Sequence, residues 1–244
     1  MKRKLPVPSL VCAVWTLICS FGAESWGDKS TVPEIIVPPG AEAVRVDGRL
    51  DDAVWKSAAK LKLLDNQTGK SPSEKTTVRL IRIGDYLCIG FDCRDRAIFA
   101  TLTGRDNDLW KEEAIEVFFD PAGDGKEYLE IEINPIGTLY DAWVHYSDNI
   151  DFDGAKAFDL KHIQVATEIL GGKNSRSVRG WTCEIAIPMS ELPMATEKAR
   201  INLTRIDRVD KKRVYYHAWS PTYRWFHVPE RFGKIIFLNT SPTF

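Results

Sequence analysis

The sequence predicts an all-β fold, an antiparallel two-sheet β-sandwich of jelly-roll kind with one or two short helices. Three observations carry that reading. About eleven short β-like runs are spread along the chain, some with the clean two-residue alternation of a strand that buries one face. Breakers separate them at Gly84-Asp85, Pro121 to Gly125, Asn134 to Gly137, Gly171-Gly172 and Pro188. Helical signals are confined to two short stretches, so sheets must bury their apolar faces against sheets.

Taken in order, residues 1–22 read as an export leader. Lys2, Arg3 and Lys4 precede an apolar stretch, Leu10 to Phe21, that is too short to span a bilayer, and Ser20 and Gly22 suit cleavage after Gly22. Cys19 offers a lipid-anchor alternative, which Leu17-Ile18 suits poorly. Residues 23–42, with Pro33, Pro38, Pro39 and Gly40, read as an extended lead-in, and residues 43–240 as one domain. Its runs are Val44–Val46, Thr77–Ile83, Tyr86–Asp92, Ala114–Phe119, Tyr128–Asn134, Thr138–Tyr146, His162–Leu170, Arg179–Ile187, Ile201–Arg208, Val214–Trp219 and Lys234–Leu238. Gly84-Asp85 signals a tight hairpin. DDAVWKSAA, residues 51–59, reads as a short capped helix or turn with Trp55 in the core, and Pro188–Leu192 as a single turn. Ser220 to Glu230 holds two prolines without alternation and reads as a long loop.

About 220 residues follow the leader, enough for one domain with a substantial core. No later apolar run is long enough for a transmembrane helix. Loss of Lys2, Arg3 and Lys4 takes the formal net charge from −1 to −4, and so mildly acidic a chain lacks the basic footprint of a nucleic-acid binder. Of five cysteines, Cys12 and Cys19 leave with the leader. Cys88 and Cys93 lie on one strand with opposed faces, so buried free thiols are expected there and at Cys183. His145, His162, His217 and His227 lack zinc-ligand spacing.

The strongest functional signal is Asp106 to Asp120, DNDLWKEEAIEVFFD. A polar loop carrying Trp110 becomes a strand in which Ile115, Val117 and Phe119 face a core while Glu116 and Phe118 face outward. An indole beside a carboxylate suits a sugar, whose ring stacks on the plane and whose hydroxyls donate to the acid. The next strand turns Leu129, Ile131 and Ile133 inward and Tyr128, Glu130 and Glu132 outward, so the acids of the two strands approach if they pair across Pro121–Lys126. Paired carboxylates are also the glycosidase arrangement. Later in the chain, Trp225, Phe226 and His227 place aromatics on the long loop, where adjacent residues can divide the tasks of pinning and display. Arg205 is either a ligand donor or the ionic partner of the outward acids. Asp47, Asp51 and Asp52 supply oxygens that calcium can use, and helix capping explains them as well.

Three ordered segments resemble the family 9 carbohydrate-binding modules and their relatives. They are VDGRLDDAVWKSA, then RDNDLWKEEAIEVFFDP with YLEIEINPIG, then WTCEIAIPMSEL, RINLTRID, HAWSP and HVPERFGKIIFL, together spanning about Val44 to Leu238. The resemblance implies a β-sandwich that binds sugars of plant-type polysaccharides, often at a chain end, with structural calcium. It implies two clamp tryptophans, the first falling on Trp110, and a sheet glutamate falling on Glu116. The second clamp lies just before the proline-x-x-phenylalanine-glycine segment. There Phe226 occupies the matched place, Trp225 stands one residue earlier and His227 one later. A sheet arginine of sugar-binding members aligns with Glu132, a departure for which Arg205 on another strand is the candidate substitute.

The reading is thus a secreted carbohydrate-binding protein for xylan- or cellulose-like sugars, using Trp110, Glu116, Glu132, Arg205, Trp225, Phe226 and His227. It acts alone or beside a glycoside hydrolase. The alternatives are a hydrolase using Glu116 with Glu130 or Glu132, and an interaction module that kept the sandwich and lost sugar binding. Haem binding, known among related sandwiches, is not supported, because no Met/His pair stands out.

Overall fold

Alternation along the strands sorts the side chains into three layers, two of which cover the outer faces of the sheets. The computed structural model describes residues 31–171 and 178–238. The expected leader, with Cys12 and Cys19, lies outside the described residues. The strands are β1 (Glu34–Val37), β2 (Ala59–Lys62), β3 (Leu64–Asp65), β4 (Thr76–Ile83), β5 (Tyr86–Arg94), β6 (Ala114–Asp120), β7 (Glu127–Ile133), β8 (Leu139–His145), β9 (Gln164–Leu170), β10 (Gly180–Pro188), β11 (Arg200–Arg208), β12 (Val214–Ala218) and β13 (Gly233–Phe237). One sheet has the order β1-β13-β11-β6-β7-β8, with β12 and β3 continuing from β11; the other has the order β2-β4-β5-β10-β9. Pairing is antiparallel except between β1 and β13, where Ile35 lies opposite Ile235. The molecule is a two-sheet β-sandwich.

The main core lies between the sheets. Ile115, Val117 and Phe119 of β6 meet Ile89 and Phe91 of β5 and Cys183 and Ile185 of β10 in one buried cluster. Cys88 lies on the other face of β5, in a cluster with Trp55, so the two cysteines of that strand face opposite ways, and all three thiols are buried and free. The β6–β7 hairpin fixes the register of the site. Asp120 accepts from the N–H groups of Gly123 and Gly125 at 2.7 and 2.8 Å. Gly123 has φ +70°, and a Cβ there would lie 1.8 Å from the Lys198 carbonyl oxygen, so only glycine suits that turn. The result sets Glu116 opposite Glu132 and Phe118 opposite Glu130.

The structure corrects several expectations. The lead-in contributes β1, which joins the sheet edge and buries Ile35 and Val37. Val44–Val46 is not a strand; Val44 and Val46 pack with Trp55 over the outer face of the five-stranded sheet. Asp52 makes no helix cap, because its carboxylate accepts from Arg45 N–H, and Asp47 is engaged by Arg45 and Arg49. Asp47 and Asp52 are therefore engaged within their own loop. Trp55 is buried in the short helical turn Ala53–Lys56 as expected and donates to Glu184 at 2.9 Å.

The largest difference concerns the outward face of the larger sheet. Phe118, Tyr128, Tyr140, Ala142 and Ile206 on that face are buried, because segments bearing Leu109, Ala155, Phe226 and Phe232 fold over it. The outward glutamates are consequently not solvated: Glu116, Glu130 and Glu132 are 2%, 3% and 2% exposed.

Candidate functional site

A cavity of about 630 Å³ opens between those covering segments and the sheet, a volume typical of small-molecule sites. Its floor is the three glutamates. The antiparallel register sets Glu116 directly against Glu132, with Glu130 two residues along β7 on the same face. Like charges directly across strands are unfavourable. Thr204 of β11 donates to Glu116 Oε2 at 2.6 Å, and the backbone N–H of Trp110 donates to Glu132. Glu130 Oε2 and Glu132 Oε2 are buried with no hydrogen-bond partner among the described residues. Burial, opposed by the Thr204 hydroxyl, holds the Glu116 carboxyl up at about 7. Burial and then the Glu116 charge hold Glu130 well above the usual carboxylate range; for Glu132 burial, Glu116 and Glu130 do the same. The floor is a proton-retaining acidic surface at neutral pH.

The rims are aromatic. Trp110 sits in the helical turn Leu109–Lys111, which buried Leu109 pins to the sheet, and the indole itself is 53% exposed. Lys111 lies over that ring at 5.2 Å and pairs with Asp108 at 2.6 Å. On the second rim Trp225 is 51% exposed, while its neighbour Phe226 is buried against Phe118 and Tyr216. The adjacent aromatics thus divide display and pinning between them. His227 stacks beside Trp225 with centroids 5.0 Å apart. Its Nδ1 lies 2.7 Å from the Tyr128 hydroxyl and its Nε2 lies 3.4 Å from Glu130. Burial lowers the His227 pKa to about 4 and raises that of Tyr128. A neutral imidazole therefore shares a hydrogen bond with the Tyr128 hydroxyl through Nδ1 while its Nε2 faces Glu130. His227 orients the floor and the loop from within.

One buried side chain organises the Trp225 loop and carries no signal in the sequence. Asn66 Nδ2 donates to the Arg224 carbonyl at 2.7 Å, and its Oδ1 accepts from Thr222 N–H at 2.8 Å. Its backbone carbonyl accepts from Tyr223, which holds φ +62°, a strained value for a tyrosine. The Thr222 hydroxyl closes the loop on the Trp225 carbonyl at 2.8 Å. Tyr140 also lines the cavity, opposite Glu132 on β8, and its outward parity within Thr138–Tyr146 was available to find it.

Of the residues singled out from sequence, Trp110, Glu116, Glu130, Glu132, Trp225, Phe226 and His227 line this one cavity. Arg205 does not. It shares the inward parity of Leu203 and is fully buried between the sheets. It donates to Asp95 at 2.5 Å, to Glu113 at 3.1 Å and to the Arg94 carbonyl at 2.8 Å, and it lies 3.4 Å from Asp207. Glu113 also receives the Trp181 indole N–H at 2.8 Å. Arg205 is the ionic partner of core acids, not of the outward ones.

Among the described residues, two acidic groups bring three ligand oxygens within 4.8 Å of one another, Asp95–Glu113–Asp207 and Asp106–Asp141–Asp159. The first does not fit calcium, because the buried Arg205 guanidinium already stands among its oxygens. In the second, Arg105 reaches Asp141 at 2.5 Å and Asp159 at 2.8 Å from a partly exposed position, and Asp106 Oδ1 is buried without a partner. That donor set fits a hard cation once Arg105 swings out.

A family model described as carbohydrate family 9 binding domain-like matches residues 46–240. A protein of Arthroderma benhamiae named an extracellular protein is 30% identical over 185 residues, which is 69% of this chain and 81% of that one. Among solved structures, a candidate carbohydrate-binding protein from Bacteroides uniformis aligns with a TM-score of 0.68 at 17% identity, covering 85% of this chain and 100% of its own. A family 9 carbohydrate-binding module from Caldicellulosiruptor kristjanssonii, solved with cellotriose and with glucose, aligns with a TM-score of 0.60 at 15% identity. It covers 86% of this chain and 95% and 98% of the two solved chains. These structural likenesses are likenesses of fold.

Proposed function

The chain belongs to the carbohydrate family 9 binding domain-like family, and from that premise we propose that it is a secreted, non-catalytic protein that holds a pyranose of a xylan- or cellulose-like saccharide. The observation that carries this reading is the pair of half-exposed indoles, Trp110 and Trp225, on separate rims of a single cavity floored by carboxyl groups. Indole faces take the apolar faces of a sugar ring, and the floor takes its hydroxyls. The glucose and cellotriose complexes of the Caldicellulosiruptor module support a glucan-type ligand. The relative named as extracellular supports secretion. Among the described residues no helix is long and apolar enough to cross a membrane. Calcium, which the family resemblance implies, is assigned in this proposal to Asp106, Asp141 and Asp159. A separate glycoside hydrolase acting on the same polymer is the partner proposed.

The test is a tryptophan-fluorescence titration with xylose, glucose, xylobiose and cellobiose, run beside Trp110→Ala. Saturable quenching by one of these sugars, lost in the variant, supports the reading. Absence of quenching by all four in the folded protein overturns it.

One observation favours a second reading, a hydrolase using Glu116 with Glu130 or Glu132. Burial keeps these carboxyls protonated near neutrality, as a general acid requires. A glycosidase also needs an ionised partner, and here all three are pushed in the same direction. Release of reducing ends from xylobiose or cellobiose, abolished by Glu116→Gln, would establish catalysis.

A further inference from the structure

The cavity floor holds more acid than a neutral sugar engages. Glu130 and Glu132, at least nine-tenths buried, line the cavity, and the Oε2 of each has no hydrogen-bond partner among the described residues. The cations nearest the floor are already engaged at the rim: Lys156 with Asp153 at 3.2 Å, and Arg224 with Glu230 at 2.7 Å. Arg205 is on the other face of the sheet. Among the described residues, the floor glutamates are not one of the groups whose oxygens converge for a metal ion. We propose that the pocket prefers a pyranose bearing a protonated amine, an amino sugar of the glucosamine type, over the same sugar bearing a hydroxyl.

This rests on the carbohydrate-binding reading and names the chemistry of its ligand. An ammonium brings three donors and a full charge, which suits adjacent carboxylates with free lone pairs. A hydroxyl brings one donor and no charge, and leaves the floor in its protonated form. The exposed faces of Trp110 and Trp225 also favour a cation beside them, and Lys111 already takes that position on one of them. A simple amine without a ring leaves the indole planes unfilled, so the sugar and its charge act together.

The groups facing the floor are Tyr140 of β8, Tyr216 of β12, Asp108 beside the Trp110 turn, Asp153 and Lys156 at the helical turn Phe152–Ala155, and Arg224 and His227 of the loop. Burial of the floor favours its protonated form, so capture of an ammonium drives the carboxyls to ionise and passes their protons to the buffer. A neutral sugar demands no such release.

Three disaccharides of one β-1,4 backbone provide the test. They differ at carbon 2: cellobiose (hydroxyl), chitobiose (ammonium) and N,N′-diacetylchitobiose (acetamide). Titration calorimetry at pH 6, in two buffers of different ionisation enthalpy, reads affinity and proton release together. The expected result is chitobiose binding about tenfold or more tighter than cellobiose, with proton release for chitobiose alone and no gain for the acetylated sugar. Glu132→Gln and Glu130→Gln, which keep shape and remove charge, should bring the ratio of the two affinities toward one, and a ratio that stays at tenfold or more in both variants overturns the inference. Cellobiose binding as tightly as chitobiose overturns the inference and leaves the sugar reading standing. Binding of none of the three by the folded protein overturns both.

Discussion

The two indoles on the cavity rims, which the proposed function makes the sugar platform, are not equivalent. Trp110 is braced by Lys111 and by its own N–H to Glu132, whereas Trp225 is braced by His227 and the loop beneath it. Truncating either to alanine should cost about 10- to 100-fold in sugar affinity, the usual scale for an aromatic anchor in a site. Thermal stability should barely move, since both side chains are half exposed; fluorescence titration and a melting curve on each variant check this. Arg205 should behave in the opposite way. Arg205→Met strands Asp95, Glu113 and Asp207 in the core and should cost about 3–5 kcal/mol in urea unfolding, with sugar affinity unchanged in the folded fraction. A loss of affinity without a loss of stability would return Arg205 to the site. What the sequence made legible is position: Trp110, Glu116, Glu132 and the Trp225 loop line one cavity. Arg205 is the exception: Leu203, two residues earlier on β11, sets the inward parity that carries Arg205 between the sheets.

Strands were the legible elements, because alternation and breakers are local signals. The elements missed are those stabilised from elsewhere. β1 exists because β13 offers a parallel edge, and β3 because β12 does. What covers the outward sheet face was also hidden, since irregular segments have no period, and that is why the glutamates read as solvated. The loop that presents Trp225 illustrates the point: its shape is set by Asn66, some 150 residues away along the chain. Asn66→Ala should remove three side-chain hydrogen bonds at once, to the Arg224 carbonyl and to the Thr222 N–H and hydroxyl, and leave buried carbonyl and amide groups unpaired, at about 1–3 kcal/mol. Sugar affinity should fall severalfold through misplacement of Trp225. Asn66→Asp keeps the acceptor for Thr222 and loses the donor to Arg224, so it should fall between wild type and alanine. An alanine variant with wild-type affinity would mean that the loop finds its shape without this anchor.

At the scale of the whole molecule, the distribution of buried acids dictates how stability responds to solution conditions. Calcium at Asp106, Asp141 and Asp159 would bind the folded chain only, so adding it should raise the melting temperature and chelator should lower it. Asp141→Asn should abolish the shift, and a shift that survives that variant places the ion elsewhere. Proton linkage gives the sharper prediction. Glu116, Glu130 and Glu132 have folded pKa values above the unfolded value of about 4.3, Glu116 at about 7. Their contribution is therefore full below about pH 4 and is lost as pH rises through the folded values. Asp141 and Asp207, raised by burial to about 6, follow the same sign over a lower range. His217 and His227 oppose them: burial holds both at about 4, below the unfolded value of about 6.5, so their contribution is lost as pH falls. Between about pH 4 and 6.5 the two sets work against each other. Above about pH 6.5 only the raised carboxyls still titrate, so the melting temperature should fall steadily toward pH 8. Glu132→Gln should flatten that slope and raise stability at the alkaline end, because it removes one of the charges that the folded state accommodates poorly. A melting temperature that stays level or rises across this window would mean that the floor carboxylates are ionised and hydrated in the folded protein, with solvent entering the cavity to reach them.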